Sequence, residues 1–209
     1  RDGELVCCHD ATTLRTTGVN LRIAEHTLHE LQHLDAGKWK GRKWHGEPIP
    51  PLRDLFMERP DDKYIYIEIK CGTQAIPALA SLIKESGTPL SAINLISFDP
   101  ASIAAWHTMF PDGKCSLLLA AEQHGIKSTG SGVPLDTLKS LSSARANGVG
   151  LQYTAHISEQ IVNQLRTEKY ECHCWTVNTP NQLRRCVQAG VNAITTDLPF
   201  IARQAINAK

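Results

Sequence analysis

The sequence has no long apolar run and no excess of charge of either sign. None of its apolar stretches approaches the roughly 20 residues that a membrane-spanning helix needs, so no membrane span is expected. Lysine and arginine number 22 against 21 aspartates and glutamates, which gives a formal net charge of +1. Because this balance creates no global field, the sequence does not indicate a nucleic-acid-binding protein.

A basic segment, residues 38–44 (KWKGRKW), departs locally from that balance. Short basic runs of this kind are most often solvated loops, and this is the interpretation we favour. RNA binding is the weaker alternative.

A framework of paired cysteines is missing too. The seven cysteines are an odd number, Cys7 and Cys8 are adjacent, and no pair has the CxxC spacing of a typical zinc site. This pattern predicts reduced thiols and therefore a reducing compartment, the cytoplasm. In the run Cys172-His173-Cys174, strand alternation places His173 on the opposite face from both cysteines, so zinc is not favoured.

What the sequence does contain is a strand with charged residues at its carboxyl end. In residues 64–70 (YIYIEIK), three isoleucines alternate with Tyr64, Tyr66, Glu68 and Lys70. Large side chains on both faces are typical of a parallel sheet that is covered on both sides. Burying two charges there is costly unless partners or a metal compensate, so Glu68 and Lys70 indicate either an interior ion pair or a functional site.

From Tyr64 onward, strand and helix patterns alternate regularly, as in a parallel α/β fold. Two of the helices begin with an N-cap residue and a proline, Asp99-Pro100 and Thr179-Pro180. Gly87 and Gly190 stand where left-handed helix caps belong. The predicted strands are residues 64–70, 93–97, 114–119, 149–153, 170–177 and 193–196.

No glycine-rich phosphate loop follows these strands, which argues against an open doubly wound sheet. We therefore predict a TIM (β/α)8 barrel, a fold of about 250 residues that collects catalytic groups at the carboxyl ends of its strands. Asp2-Gly3 before a strand over Glu4–Cys8 is a hairpin signal whose first strand is absent. The first strand-helix unit and part of the second strand are thus expected to precede Arg1.

No composition shift or long linker divides the chain, so we predict a single barrel domain over residues 1–209. Within it, residues 10–51 are interpreted as an insertion without barrel strands. Thr27 and Glu30 have the spacing of a capping box there, which predicts a short helix that Gly37 closes in a left-handed cap.

Eight short motifs follow one another along the chain. They are Asp2-Gly3 through His9-Asp10, Arg15-Thr16-Thr17-Gly18, Leu34-Asp35-Ala36-Gly37, Ile49-Pro50, Ile67-Glu68-Ile69-Lys70, Ser97-Phe98, Trp175-Thr176-Val177-Asn178 and Thr195-Thr196-Asp197-Leu198-Pro199. Each is weak alone, but together they span nearly the whole chain. In order and spacing they resemble the glycerophosphodiester phosphodiesterase family, and the resemblance implies a TIM barrel with a small insertion after its second strand.

The resemblance also implies hydrolysis of a small-molecule phosphodiester to glycerol 3-phosphate and an alcohol, with two histidines and a divalent metal, Mg²⁺ or Ca²⁺. His9 matches the family's second histidine, a residue type that titrates near neutral pH and serves as acid or base. Glu68 matches a metal-binding glutamate, and Lys70 matches the lysine that accompanies it near the phosphate. Trp175 is expected at the mouth of the substrate pocket.

The family's first histidine and two further acidic metal ligands would fall before Arg1. Three other functions stay open at this point. A lysophospholipase D or sphingomyelinase D-like enzyme would use the same barrel on an acylated substrate, and an inactive relative would bind phosphate without turnover. A lysine at a strand end also suits a Schiff-base aldolase, although Glu68 nearby would keep Lys70 protonated.

Overall fold

The structure is a computed structural model that describes residues 1–120 and 132–207. These residues form two compact units. The N-terminal unit comprises Arg1–Ile65 and Lys70–Ala92, and the sheet unit comprises Tyr66–Ile69 and the described residues from Ile93 onward. The single domain over residues 1–209 stays a prediction.

Apart from Ile65, the regular secondary structure of the N-terminal unit is helical. Thr27 and Glu30 form the predicted capping box, in which the Thr27 hydroxyl accepts from the Glu30 amide at 3.2 Å and the Glu30 carboxylate accepts from the Thr27 amide at 2.7 Å. Residues 10–51, all of which the structure describes, form no strand. The α-helices are α1 Leu14–Thr17, α2 Leu28–Gln32, α3 Leu52–Glu58 and α4 Ala75–Ser86, and 3-10 turns cover Ile23–Glu25, Lys38–Lys40, Arg42–Trp44 and Leu90–Ala92.

Gly37 does not end a helix, so that part of the prediction is wrong. Helix α2 stops at Gln32, and Gly37 has a φ of −102°, outside the left-handed region. The glycine is needed for a close approach instead, because a Cβ at this position would lie 1.8 Å from the Trp44 carbonyl oxygen.

The predicted strand over Glu4–Cys8 is also wrong. The structure has a single antiparallel bridge there, between Val6 and Pro51. Cys7 donates its amide to the Pro50 carbonyl oxygen at 2.9 Å. Because Pro50 and Pro51 have no N–H to donate, the ladder ends after this bridge.

The sheet has sequential strand order. Its strands are β1 Ile65–Glu68, β2 Ile93–Ser97, β3 Lys114–Leu119, β4 Gly148–Gln152, β5 Glu171–Trp175 and β6 Ala193–Ile194. They lie in the order β1-β2-β3-β4-β5-β6, with parallel pairing from β2 to β6. A doubly wound sheet reverses its order at a switch point, so this order is that of a TIM-like barrel, as predicted.

A helix follows each strand, which confirms the predicted alternation. After α4, these helices are α5 Pro100–Met109, α6 Leu135–Ala144, α7 Glu159–Thr167, α8 Pro180–Ala189 and α9 Pro199–Asn207. The Asp99 carboxylate caps α5 and the Thr179 hydroxyl caps α8, while Gly87 and Gly190 adopt left-handed conformations after α4 and α8. Among the described residues, no helix combines the length and apolar character needed to cross a bilayer.

Polar residues are concentrated on one face of the sheet, which also holds the buried Ile96 and Leu118. The three isoleucines of residues 65–69 are buried as predicted, and the strand register places Leu95, Leu117, Val149 and Cys174 on the same face. The opposite face has Tyr66, Asn94, Ser116 and His173.

The expectation that both faces of β1 are covered is wrong. Tyr64 and Tyr66 are 75% and 43% exposed. Both side chains alternate with the buried isoleucines and therefore project from the opposite, polar side of the strand.

His173 is buried on the polar face, next to β6. Its Nε2 lies 2.6 Å from the Thr195 hydroxyl oxygen, and its ring centroid is 5.4 Å from that of Tyr66. Its Nδ1 has no hydrogen-bond partner among the described residues. Burial lowers the pKa of His173 from 6.5 to about 4, so the imidazole is neutral at physiological pH.

The free energy of unfolding should therefore fall as the pH drops from about 6.5 to about 4. In that interval the unfolded chain binds a proton at His173 that the folded protein does not, and this linkage costs up to roughly 3 kcal/mol. Urea unfolding at neutral pH and at about pH 4.5 measures the loss, which should be smaller in His173→Gln than in wild type. An exposed control, His29→Gln, should match wild type, whereas equal losses in wild type and His173→Gln would contradict this assignment.

Candidate active site

Glu68 and Trp175 lie at the carboxyl edge of the sheet, where barrel enzymes collect catalytic groups. Glu68 is the last residue of β1 and Trp175 the last residue of β5. Lys70 follows Glu68 by two residues, is exposed and belongs to the N-terminal unit. Glu68, which is partly exposed, and Lys70 each make at least one interaction with other residues.

Trp175 is held by its neighbours in the sheet unit. Its indole N–H donates to the Gly150 carbonyl oxygen at 2.9 Å, and its ring meets Phe98 edge-to-face at 5.4 Å between centroids. A Cβ on Gly150 would lie 2.4 Å from Leu118 Cδ2 and 3.4 Å from Trp175 Cδ1, so a larger residue here would force the Leu118 side chain to move. The half-buried indole therefore presents a fixed apolar surface.

His9 lies in a loop of the N-terminal unit, and its side chain is 71% exposed. Its Nδ1 is 2.8 Å from Asp10 Oδ1, and the other oxygen of Asp10 accepts a hydrogen bond from Arg15 Nε at 2.6 Å. Arg15 belongs to α1, the short helix that follows. The carboxylate of Asp10 thus links the histidine ring to the Arg15 guanidinium group.

Asp10 determines which nitrogen of His9 is available. Hydrogen bonds from His9 and Arg15 lower the pKa of Asp10, so its carboxylate is ionised at neutral pH and acts as an acceptor. The neutral His9 ring must then carry its hydrogen on Nδ1, which leaves Nε2 with the lone pair. This arrangement suits a residue that takes up and releases a proton at Nε2.

The donor set for a metal ion is incomplete within the described residues. No group of three or more His, Cys, Asp or Glu side chains there lies close enough to hold a metal. Glu68 offers a carboxylate, the hard oxygen donor that Mg²⁺ and Ca²⁺ prefer. Because Mg²⁺ is commonly held by one or two carboxylates together with water and substrate phosphate, the chemistry of Glu68 fits such an ion.

The cysteines that flank His173 face the other way, as the strand alternation predicted. Cys174 hydrogen-bonds Cys186 of α8 on the apolar side of the sheet, and burial raises the pKa of Cys172 to about 12. All seven cysteines are free thiols in the structure.

Sequence reasoning assigned no role to Asp10, Arg15 or Phe98, although all three lie in the quoted motifs. The position of Asp10 directly after His9 could have predicted their contact, since histidines in acid–base roles are often oriented by a carboxylate. The contacts made by Arg15 and Phe98 depend on how two loops fold, which residue spacing does not reveal.

The sequential parallel sheet, with a carboxylate and an indole at its carboxyl edge, defines a TIM-like α/β protein of the kind that carries its chemistry on strand ends. Comparison with known families gives a more specific result. The model of the Glycerophosphoryl diester phosphodiesterase family matches residues 1–200. The chain belongs to this family, which confirms the resemblance read from the eight motifs.

Individual relatives agree with the family assignment. A glycerophosphodiester phosphodiesterase of Caldanaerobacter subterraneus is 31% identical over 205 residues, which cover 95% of this chain and 79% of that protein. One from Bacillus subtilis is 26% identical over 216 residues, covering 95% of this chain and 71% of that protein.

A solved structure shares the fold. The phosphodiesterase of Oleispira antarctica, in complex with its product sn-glycerol-3-phosphate, matches with a TM-score of 0.84 at 22% identity, over 99% of this chain and 81% of that one.

Proposed function

We propose that this protein hydrolyses glycerophosphodiesters to glycerol 3-phosphate and an alcohol, with His9 in acid–base catalysis and with a divalent metal ion. Membership of the family and the names of its relatives support the substrate class. The observation that carries the proposal is the His9–Asp10 pair, in which a motif histidine has an oriented ring and an available Nε2.

In this proposal His9 is the general acid. The glycerol 2-hydroxyl oxygen bonds to phosphorus and loses its proton to a separate base, while the bond from phosphorus to the alkoxide oxygen breaks. As an imidazolium, His9 holds a proton on Nε2 and passes it to that alkoxide oxygen. The alcohol then leaves neutral, and His9 remains as the neutral imidazole with its hydrogen on Nδ1. Asp10, anchored by Arg15, positions the ring for this transfer. Water then opens the cyclic phosphate to give glycerol 3-phosphate.

Glu68 would hold the divalent cation, Mg²⁺ or Ca²⁺. When bound, such an ion neutralises charge on phosphoryl oxygens and lowers the pKa of a nearby hydroxyl. Lys70 would add a second positive charge toward the phosphate, and the fixed indole of Trp175 would border the carbon atoms of the substrate.

A direct assay tests the proposed activity. Purified protein should release glycerol 3-phosphate from glycerophosphocholine in the presence of Mg²⁺ or Ca²⁺, and a chelator should stop the release. Cleavage of lysophosphatidylcholine alone would favour the lysophospholipase D alternative. Phosphate binding without turnover on either substrate would contradict the proposal and identify an inactive relative.

A further inference from the structure

The basic segment belongs to a longer exposed loop, Lys38–Pro48, which we call the tryptophan loop. Every residue in it is exposed. Its two indole rings, Trp39 and Trp44, are 57% and 40% exposed. Two large apolar rings that face water on one short loop mark an interaction surface rather than scattered surface residues.

Positive charge is concentrated on the same loop. Lys38, Lys40, Arg42 and Lys43 lie in it beside one carboxylate, Glu47, although the whole chain has a net charge of +1. None of the four cations forms a salt bridge with another residue in the described part of the chain. An anionic partner would therefore not have to displace an internal ion pair.

The cations and the rings occupy one patch. Lys43 Nζ lies 4.9 Å and Lys40 Nζ 5.7 Å from the centroid of the Trp44 ring. Arg15 Cζ lies 5.9 Å from the centroid of the Trp39 ring. The loop therefore presents two exposed indole rings with positive charges over them.

Several N–H groups of the tryptophan loop are hydrogen-bonded within the protein. The Trp39 indole N–H donates to the Ala36 carbonyl oxygen at 2.9 Å, so this ring needs no water partner. The two 3-10 turns satisfy backbone donors, with the amides of Lys40 and Trp44 bound to carbonyl oxygens at 2.9 Å and 3.0 Å. Moving the loop out of bulk water would leave these donors paired, which removes a cost of burial.

We propose that the tryptophan loop binds the surface of a bilayer that contains anionic phospholipids. Indole rings favour the headgroup region of a membrane, and lysine and arginine side chains are attracted to anionic headgroups while their alkyl stems lie against apolar surface. The positive charge of the loop thus complements the negative charge of anionic phospholipid headgroups. RNA is a poorer fit, because base stacking needs free ring faces and both rings have cations of the chain positioned over them.

The loop is connected to the candidate catalytic histidine. Arg15, which lies over Trp39, also holds Asp10, and Asp10 orients His9. A bilayer bound at the tryptophan loop would therefore lie near His9. The link to His9 rests on the proposed function, whereas the membrane contact does not.

Vesicle sedimentation of the purified protein, without substrate, tests the membrane contact. Wild type should sediment with vesicles of phosphatidylcholine and phosphatidylglycerol, and much less with phosphatidylcholine alone. The loop variant combines four substitutions, Lys38→Gln, Lys40→Gln, Arg42→Gln and Lys43→Gln. It should bind the anionic vesicles at least about tenfold more weakly than wild type, since each lost charge removes attraction to the surface. Raising the salt concentration should weaken wild-type binding in the same way.

A matched control removes the same number of charges elsewhere. Its four substitutions are Lys63→Gln, Lys84→Gln, Lys139→Gln and Arg203→Gln, all at exposed positions. This control should bind anionic vesicles like wild type, and Trp44→Ala should bind more weakly than wild type.

Two results would overturn the membrane proposal. One is equal vesicle binding by the loop variant and the control. The other is loop-dependent binding of a single-stranded RNA oligonucleotide together with no binding to anionic vesicles. Because vesicle binding needs no turnover, it can fail while glycerophosphocholine hydrolysis succeeds, or the reverse, so this test and that of the proposed function are separate.

Discussion

Replacing His9 by alanine is expected to slow glycerophosphocholine hydrolysis by about 10² to 10⁴, the usual contribution of a positioned general acid. Choline leaves as a strongly basic alkoxide, which needs a proton in the transition state. p-Nitrophenolate leaves readily without one, so His9→Ala should slow a p-nitrophenyl glycerophosphodiester much less. Steady-state rates on the two substrates, for wild type and variant, measure the difference.

An exposed histidine outside the candidate site provides the control for this experiment. His29→Ala should leave both rates unchanged, because His29 lies in α2 with its side chain in solvent. If His9→Ala slowed both substrates equally, His9 would be the base or an orienting group, and the general acid would be another residue.

The second large effect is expected at Glu68. Glu68→Gln keeps the shape of the side chain but removes the charge that is proposed to bind the metal ion, so activity should fall at least about a hundredfold and metal affinity should fall with it. Titration with Mg²⁺ or Ca²⁺, followed by activity and by calorimetry, measures both quantities.

Glu171→Gln is a matched control on the same sheet. Glu171 begins β5 at the amino end, where its carboxylate pairs with Lys114 at 2.6 Å on the surface. Losing an exposed pair of this kind costs little, so this variant should keep both activity and metal affinity. Unchanged metal affinity and rate in Glu68→Gln would make Glu68 a structural residue.

The strands of the sheet were predictable because local pattern and tertiary packing agree there. Strands β2 and β3 have the predicted bounds, residues 93–97 and 114–119, since each is an apolar run that becomes buried in a parallel sheet. Helices α5 and α8 begin at the predicted prolines, because the cap and the fixed φ of proline act within one turn.

The parts of the fold and of the candidate site that the sequence did not predict depend on contacts between different segments of the chain. The strand expected over Glu4–Cys8 fails because its neighbour in space contains Pro50 and Pro51, which a pattern of residues 4–8 does not reveal. The identity of His9 as a candidate came from its motif, but the orientation of its ring comes from Asp10 and Arg15. Residue spacing alone does not predict the hydrogen bond from Arg15 to Asp10, because it depends on how the four-residue helix α1 is placed.

The placement of the four tryptophans has a consequence for optical measurements. Trp39 and Trp44 are exposed, whereas Trp106 is fully buried, so an aqueous quencher such as iodide would reach the first two and spare the third. Trp175 differs from all of these, because its indole N–H is fixed to Gly150 and its ring touches Phe98 at the carboxyl edge of the sheet. With the two loop tryptophans replaced by phenylalanine, changes in emission on adding a ligand would come mainly from Trp175, against the constant signal of Trp106.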